Sequence, residues 1–405
     1  MISSLPQLPD PTRAERMAWW REARFGMFIH YGAYAIPGRG EWVMNRERIP
    51  FEEYRKFYPR FQPRPGCAEE WARTAAEGGM KYVTLTTRHH DGYCLWDSKL
   101  SEHTTVKLGP RRDLVAEYVE ALRRHGLRVG LYYSLKDWSH PGWLAKQNGD
   151  EAGHAAFLEY VHGQVRELCT NYGKIDVLWY DGPGPYDEKG WRADELNGMA
   201  RKLQPGLIIN CRSHLAEDFD TPENHVAASP PGRAWESNMT LNDNWGWHAG
   251  DFNHKSPREV IRLLTRIVHL DGNFMLNIGP EPDGRVPAES AAILRQVGAW
   301  MRVHGEAIHG AARTNFQWHH CGWPTEKGNC VYEYLNNYPG TSIVLTGFAA
   351  PVRRATLMST GQELMLGQHG EKLTLWGLPP REPDPLGAVL KIEFEGKPKY
   401  GVVPQ

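Results

Sequence analysis

Residues 175–182 read IDVLWYDG. An apolar, β-favouring run passes through an aromatic pair, meets an aspartate, and stops at Gly182-Pro183. An aspartate before Gly-Pro is by itself an ordinary turn-former. At the end of a buried strand it has a second meaning, because parallel α/β sheets carry their chemistry at the C-terminal ends of their strands. Working outward, similar runs recur: FGMFIHYG (25–32), KYVTLTTRHH (81–90), LRVGLYYS (127–134), GLIINCR (206–212) and NFMLNIGP (273–280). Helical spacing fills most of the intervals. Leu114, Tyr118, Ala121 and Leu122 share one face, with Asp113 as N-cap and Gly126 as stop. Leu158, Val161, Val165 and Leu168 share another. Ser256-Pro257-Arg258-Glu259 forms a capping box ahead of Val260, Leu263, Leu264, Ile267 and Val268, and a further helix is expected over about 289–304.

Strand and helix alternating over about 300 residues predict an α/β fold. The expected form is an irregular (β/α)₈ TIM-like barrel occupying residues 1–312. Six strands are evident where a full barrel has eight. A doubly wound sheet is the alternative, but FGMFIHYG is not followed by the Gly-rich phosphate loop such sheets use. From residue 313 to 405 the helical period disappears. VYEYLNN, TSIVLTG, VRRATLMST, KLTLWG and AVLKIEFEG read as short strands of a small C-terminal antiparallel β-sandwich.

Composition narrows the function classes. Of 405 residues, 41% are hydrophobic and 23% charged, and the formal net charge is -1, so no global field favours nucleic acid or a membrane surface. No stretch approaches the length of a membrane-spanning helix. The first twenty residues lack the apolar core of a signal peptide, which predicts a cytoplasmic protein, or a periplasmic or secreted one if a leader has been removed. Six cysteines without a CxxC pair argue for free thiols, although Cys321 and Cys330 are close enough in sequence to bridge in an oxidising compartment. Sixteen tryptophans suit either core packing or the apolar faces of sugar rings.

The predicted strand ends carry His30, Tyr31, His89, His90, Tyr133, Asp181 and Arg212. Polar side chains gathered at a barrel mouth have no packing reason to be there. His89-His90 brings metal to mind, but neighbours on a strand point to opposite faces and no HExxH accompanies them, so no metal site is expected. There is no GxSxG elbow and no cysteine nucleophile signature. Carboxylates remain, and two of them flanking a sugar make a glycosidase. Asp181 is one. Glu223 in DFDTPENH, Glu236 in AWESNMT and Glu41 in GEWV are candidates for its partner; Trp235 and Trp42 give the last two the apolar neighbours that raise a carboxyl pKa. The residues alone leave that choice open.

The stretches FGMFIHYGAYAIPGRGEWV, KYVTLTTRHHDGYCLWDSK, GLYYSLKDW, IDVLWYDG, TPE, WESNMTLNDNWGW and GNFMLNIGPEPDG, in this order, resemble the α-L-fucosidases of glycoside hydrolase family 29. The resemblance implies a retaining, exo-acting hydrolase that removes terminal α-L-fucosyl residues through a covalent intermediate, without metal or organic cofactor. It implies Asp181 as nucleophile and Glu223 as acid/base, with Glu236 as the alternative. It implies a sugar pocket lined by His30, Glu41, Trp42, His89, His90, Tyr133, Trp179 and Arg212, with Trp245 against the C5 methyl group. Its partner would be a fucosylated oligosaccharide or glycoconjugate, with neither nucleic acid nor membrane involved; linkage and oligomeric state are not legible. NWGW stands where an SWGY-like turn is common, and HYG where HWG is. The other readings are a glycosidase for another α-L-sugar (an α-L-galactoside or α-L-glucoside), decided by the room at C5, and a non-catalytic fucoside-binding protein.

Overall fold

A computed structural model describes residues 10–315 and 321–401. Seven parallel strands form one sheet: β1 (Phe25–Ile29), β2 (Tyr82–Arg88), β3 (Arg128–Ser134), β4 (Val177–Asp181), β5 (Ile208–Ile209), β6 (Glu236–Thr240) and β7 (Asn273–Ile278). Their order is β5-β4-β3-β2-β1-β7-β6. Residues 218–224 bridge the remaining gap through parallel pairs Asn210–Phe219, Asp220–Trp235 and Glu223–Asn238. Cys211 N–H donates to Phe219 O (3.1 Å) on one side, and Glu236 N–H donates to Asp220 O (2.8 Å) on the other. The sheet therefore closes with eight staves, and the doubly wound alternative falls.

The two staves that apolar runs did not reveal are β6 and residues 218–224. ESNMT is polar yet wholly buried, because its side chains bond within the barrel: Ser237 Oγ donates to His225 O and Asn238 Nδ2 to Pro222 O. Residues 211–235 contain three prolines and no helical period, so no crossover helix flanks the eighth stave. Elsewhere the expected helices stand outside the sheet. Asp113 caps Leu114–Arg124 by accepting Ala116 N–H, with Gly126 in the left-handed region after it, and Ser256 caps Pro257–His269 by accepting Glu259 N–H.

The barrel is packed, not hollow. Trp20 and Met17, from the helix Arg13–Ala23, join Phe28, Tyr82, Tyr132, Trp179, Phe219 and Met275 in one apolar cluster inside the barrel. Gly26 makes room for this cluster. A Cβ there would lie 2.5 Å from the Tyr82 ring, which crosses the strand at that point.

The antiparallel sheets begin at Ala312–Arg313, and two of them, with six and three strands, enclose a second apolar core. Along Cys330–Leu335, Tyr332 and Tyr334 face the barrel helices while Val331 and Leu335 face the sandwich. Tyr334 Oη donates to Ala307 O (2.7 Å) and Trp300 Nε1 to Gly387 O (2.7 Å), joining the two parts. All six cysteines are buried free thiols, Cys321 and Cys330 included. No helix among the described residues is long and apolar enough to cross a membrane.

Candidate active site

A cavity of about 190 Å³ opens at the C-terminal ends of the strands. Asp181, the last residue of β4, lies in its wall and is held from several sides. Arg212 Nη1 donates to Oδ1 (2.6 Å), Tyr132 Oη donates to Oδ2 (2.8 Å), and His90 Nε2 lies 3.7 Å from Oδ2. Burial pushes this carboxyl up, but Arg212, His90, His89 and the Tyr132 hydroxyl together outweigh it and hold the group well below the usual carboxylate range.

Arg212 also binds the second carboxylate: its Nη2 donates to Glu223 Oε2 (2.8 Å). One guanidinium thus spans both groups, in the fork geometry that favours arginine over lysine. Its own place is fixed by Trp179, whose ring lies 4.7 Å beneath it, and by Nε donating to Thr221 Oγ1 (3.0 Å). Glu223 stands on the eighth stave, which is pinned to β6 by Asn224 N–H donating to Asn238 O (2.9 Å). Its side chain keeps 44% exposure, against 18% for Asp181, and so faces the open side of the pocket.

The remaining predicted residues divide. His30, Glu41, Trp42, His89, His90, Trp179 and Trp245 all line the cavity. His30 Nδ1 meets Asn277 Oδ1 (2.6 Å), and Asn277 Nδ2 donates to Trp245 O (2.7 Å). Asn277 therefore accepts from His30 Nδ1–H, which leaves Nε2 as an acceptor toward the cavity. Ser134 Oγ donates to Lys136 O (2.7 Å) and accepts from His90 Nδ1–H (2.6 Å), with the same consequence. Burial moves all three imidazoles down, His30 to about 4 and His90 to about 3, so they act as neutral hydrogen-bonding groups. Glu41 is buried, accepts Gly246 N–H at Oε2 (2.9 Å) and thereby fixes the turn that carries Trp245; burial raises its pKa.

Three expectations need correction. Tyr133 is not in the pocket. In the β3–β4 register Tyr132 stands beside Trp179 and Tyr133 beside Tyr180, and side chains in register share a face. Tyr132 therefore points inward with Trp179, while Tyr133 turns to the helix layer and donates to Gln164 Oε1 (2.9 Å). Glu236, the alternative acid, is 1% exposed and lies below the cavity, where it accepts from Tyr82 Oη and from Trp179 Nε1 (3.2 Å). Burial pushes it up to about 7, as its aromatic neighbours suggested, but the same burial keeps it from substrate. His89 and His90 do not diverge as strand neighbours would. β2 ends at Arg88, and the two rings lie 4.1 Å apart. Phe28, Lys136, Gly182 and Asn238 line the cavity without having been singled out. Phe28 was legible, being two residues before His30 on one strand face.

His89, His90 and Asp181 place ligand atoms within 4.8 Å of one another, the one such grouping among the described residues. The carboxylate is already engaged: both Asp181 oxygens are bonded, and Arg212 sets a fixed positive charge against it. A cation would have to compete with that guanidinium, so the set fits hydroxyl recognition better than metal ligation.

The family profile described as alpha-L-fucosidase matches residues 6–306. Human tissue alpha-L-fucosidase is 31% identical over 401 residues, spanning 90% of this chain and 84% of its own. The solved alpha-L-fucosidase isoenzyme 1 from Paenibacillus thiaminolyticus is 37% identical with a TM-score of 0.88, covering 95% of this chain and 100% of that one. A family 29 alpha-L-fucosidase from Bacteroides thetaiotaomicron, solved as a covalent intermediate trapped with 2-fluoro-fucosyl fluoride in a glutamate-to-glutamine variant, is 28% identical with a TM-score of 0.87, covering 96% and 97%. With matches of this extent joined to a closed barrel bearing paired carboxylates at its mouth, the chain belongs to the alpha-L-fucosidase family.

Proposed function

We infer that this protein is a retaining, exo-acting α-L-fucosidase that hydrolyses terminal α-L-fucosyl residues of oligosaccharides or glycoconjugates in two covalent steps. The observation that carries this reading is the Arg212 clamp, which sets two carboxylates on one side chain at the mouth of a blind pocket.

Asp181, ionised and aimed into the cavity, attacks the anomeric carbon as the glycosidic C–O bond breaks, and Glu223 gives its proton to the departing oxygen. A glycosyl ester of Asp181 results. In the second step Glu223 accepts a proton from water, whose oxygen attacks the same carbon and releases Asp181. Esterification removes the charge on Asp181, so Arg212 then serves Glu223 alone during the base step. His30 and His90 offer unprotonated Nε2 atoms to sugar hydroxyls. His89 Nδ1 is buried with no partner among the described residues, and a hydroxyl would satisfy it. Phe28 and Trp245, 6.0 Å apart edge to face, give an apolar wall suited to the C5 methyl group and unsuited to a hydroxymethyl.

The test is 4-nitrophenol release from its α-L-fucoside by wild type and Asp181→Gly, with azide and with chelator. Loss of activity in the variant, partial rescue by azide, and wild-type activity that survives chelation are expected. An Asp181→Gly protein as active as wild type contradicts the assignment.

A further inference from the structure

Lys136 is the charged group of the pocket that the mechanism leaves unused. It follows β3 and lines the cavity with Gly182, His90 and Trp42. Its ammonium lies 5.3 Å over the Trp42 ring, and no ion pair or hydrogen bond of that nitrogen exists among the described residues. Every other charge there is matched. Asp181 and Glu223 share Arg212, Glu41 takes the Gly246 N–H, and the three imidazoles are neutral.

A half-buried ammonium is costly. Burial lowers the pKa of Lys136, opposed only by the field of Asp181, and one aromatic face offsets only part of that cost. Leucine or methionine would cover the same wall without that cost. Neutral groups are enough for sugar hydroxyls, and this pocket already has them. An unpaired cation is what an anionic ligand group needs. Its position says where that group would sit. Lys136 lies beside Trp42 and His90, whereas Glu223, which serves the leaving group, is tied to Arg212 and Asn238 beyond Asp181. The neighbours of Lys136 are side chains assigned to the sugar ring, not to the leaving group.

We propose that Lys136 recognises a sulfate ester on a ring hydroxyl of the fucosyl residue, making O-sulfated α-L-fucosides the preferred substrates. The proposal rests on the fucosidase reading. It is tested with 4-nitrophenyl α-L-fucoside, its 2-, 3- and 4-O-sulfates, and a fucoside whose aryl leaving group bears a carboxylate, each against wild type, Lys136→Met and Lys136→Arg. The readout is the ratio of kcat/KM for each anionic substrate to that for the neutral fucoside. For at least one ring sulfate this ratio should be about tenfold or more in wild type, be kept in Lys136→Arg, and fall to one or below in Lys136→Met. Calorimetric Kd values of free L-fucose and its monosulfates should show the same dependence on position 136 without turnover. Ratios that do not change with Lys136→Met overturn the proposal. So does dependence confined to the carboxylated leaving group, which would place the cation on the aglycone side. Activity on the neutral fucoside tests the fucosidase reading separately.

Discussion

Asp181 and Glu236 lie on opposite sides of one indole. Trp179 gives its Nε1–H to Glu236 and its face to Arg212, which holds Asp181 and Glu223. Burial pushes both carboxyls in the same direction. Below the indole no cation reaches Glu236, and burial raises it to about 7. Above it, Arg212 with the two imidazoles and the Tyr132 hydroxyl reverses the outcome for Asp181. Depth therefore does not assign the roles. A fixed cation within hydrogen-bond reach keeps a deeply buried carboxyl ionised, and its absence leaves such a carboxyl neutral. Glu333 repeats the second case: it faces the sandwich, and burial raises it to about 8 against the opposing pull of the Gly322 and Cys321 backbone.

The sharpest way to break this contrast is to neutralise one carboxyl on each side. Glu223→Gln should lower kcat/KM on a fucosylated oligosaccharide by on the order of 10²–10⁴. The first-step loss should be smaller for an aryl fucoside, whose leaving group needs less protonation. Glu236→Gln should lose far less on both, and equal losses would remove the distinction between mouth and floor. Next in size is the tyrosine pair. Tyr132→Phe deletes a hydrogen bond to a charged group, worth about 1.5–3 kcal/mol, so a roughly 10- to 100-fold loss of kcat/KM is expected. Tyr133→Phe should leave kcat/KM near wild type and appear instead as a lower Tm, since its partner Gln164 belongs to the buried layer behind the sheet.

The third contrast concerns stability and pH. Glu236 titrates near 4.5 when unfolded and at about 7 when folded. Between those values the native state holds more protons, so this stabilisation is complete below the unfolded value and is lost as pH rises through about 7. From pH 4.5 to 8, the urea-unfolding free energy of Glu236→Gln should gain on wild type by on the order of 3 kcal/mol. A difference that does not vary with pH would mean that Glu236 is ionised in the fold. The smallest effect is an absence of change. The imidazole nitrogen shifts of His30 and His90 should stay flat from about pH 5 to 8, the range in which an ordinary histidine titrates.

Six strands were legible because apolar runs mark staves buried on both faces. β6 was not, because ESNMT fills its stave with polar side chains that find partners inside the barrel, and residues 218–224 (DFDTPEN) offer a single apolar side chain, Phe219, in place of a run. Most of the site followed from strand ends and from the family likeness. At Tyr133 parity was available and not applied: Asp181 and Trp179 share a face, and the register sets Ser134 and Tyr132 beside them. At His89-His90 the opposite error arose, since alternation was applied one residue beyond the end of the strand. Glu236 shows the limit of composition. Aromatic neighbours did announce a raised pKa, but whether such a carboxyl also meets solvent depends on which end of the stave it occupies. Lys136 carried no sequence signal, because an isolated lysine in a loop reads as solvated.

The central claim is that Asp181 forms the covalent bond to the sugar. The most direct measurement is intact-protein and peptide mass spectrometry after incubation with 2-deoxy-2-fluoro-α-L-fucosyl fluoride, with wild type and Asp181→Gly in parallel. One fluorofucosyl adduct on the peptide containing Asp181, absent from the variant, is the predicted result; an adduct on Glu223, or turnover with inversion and no adduct, would contradict the account.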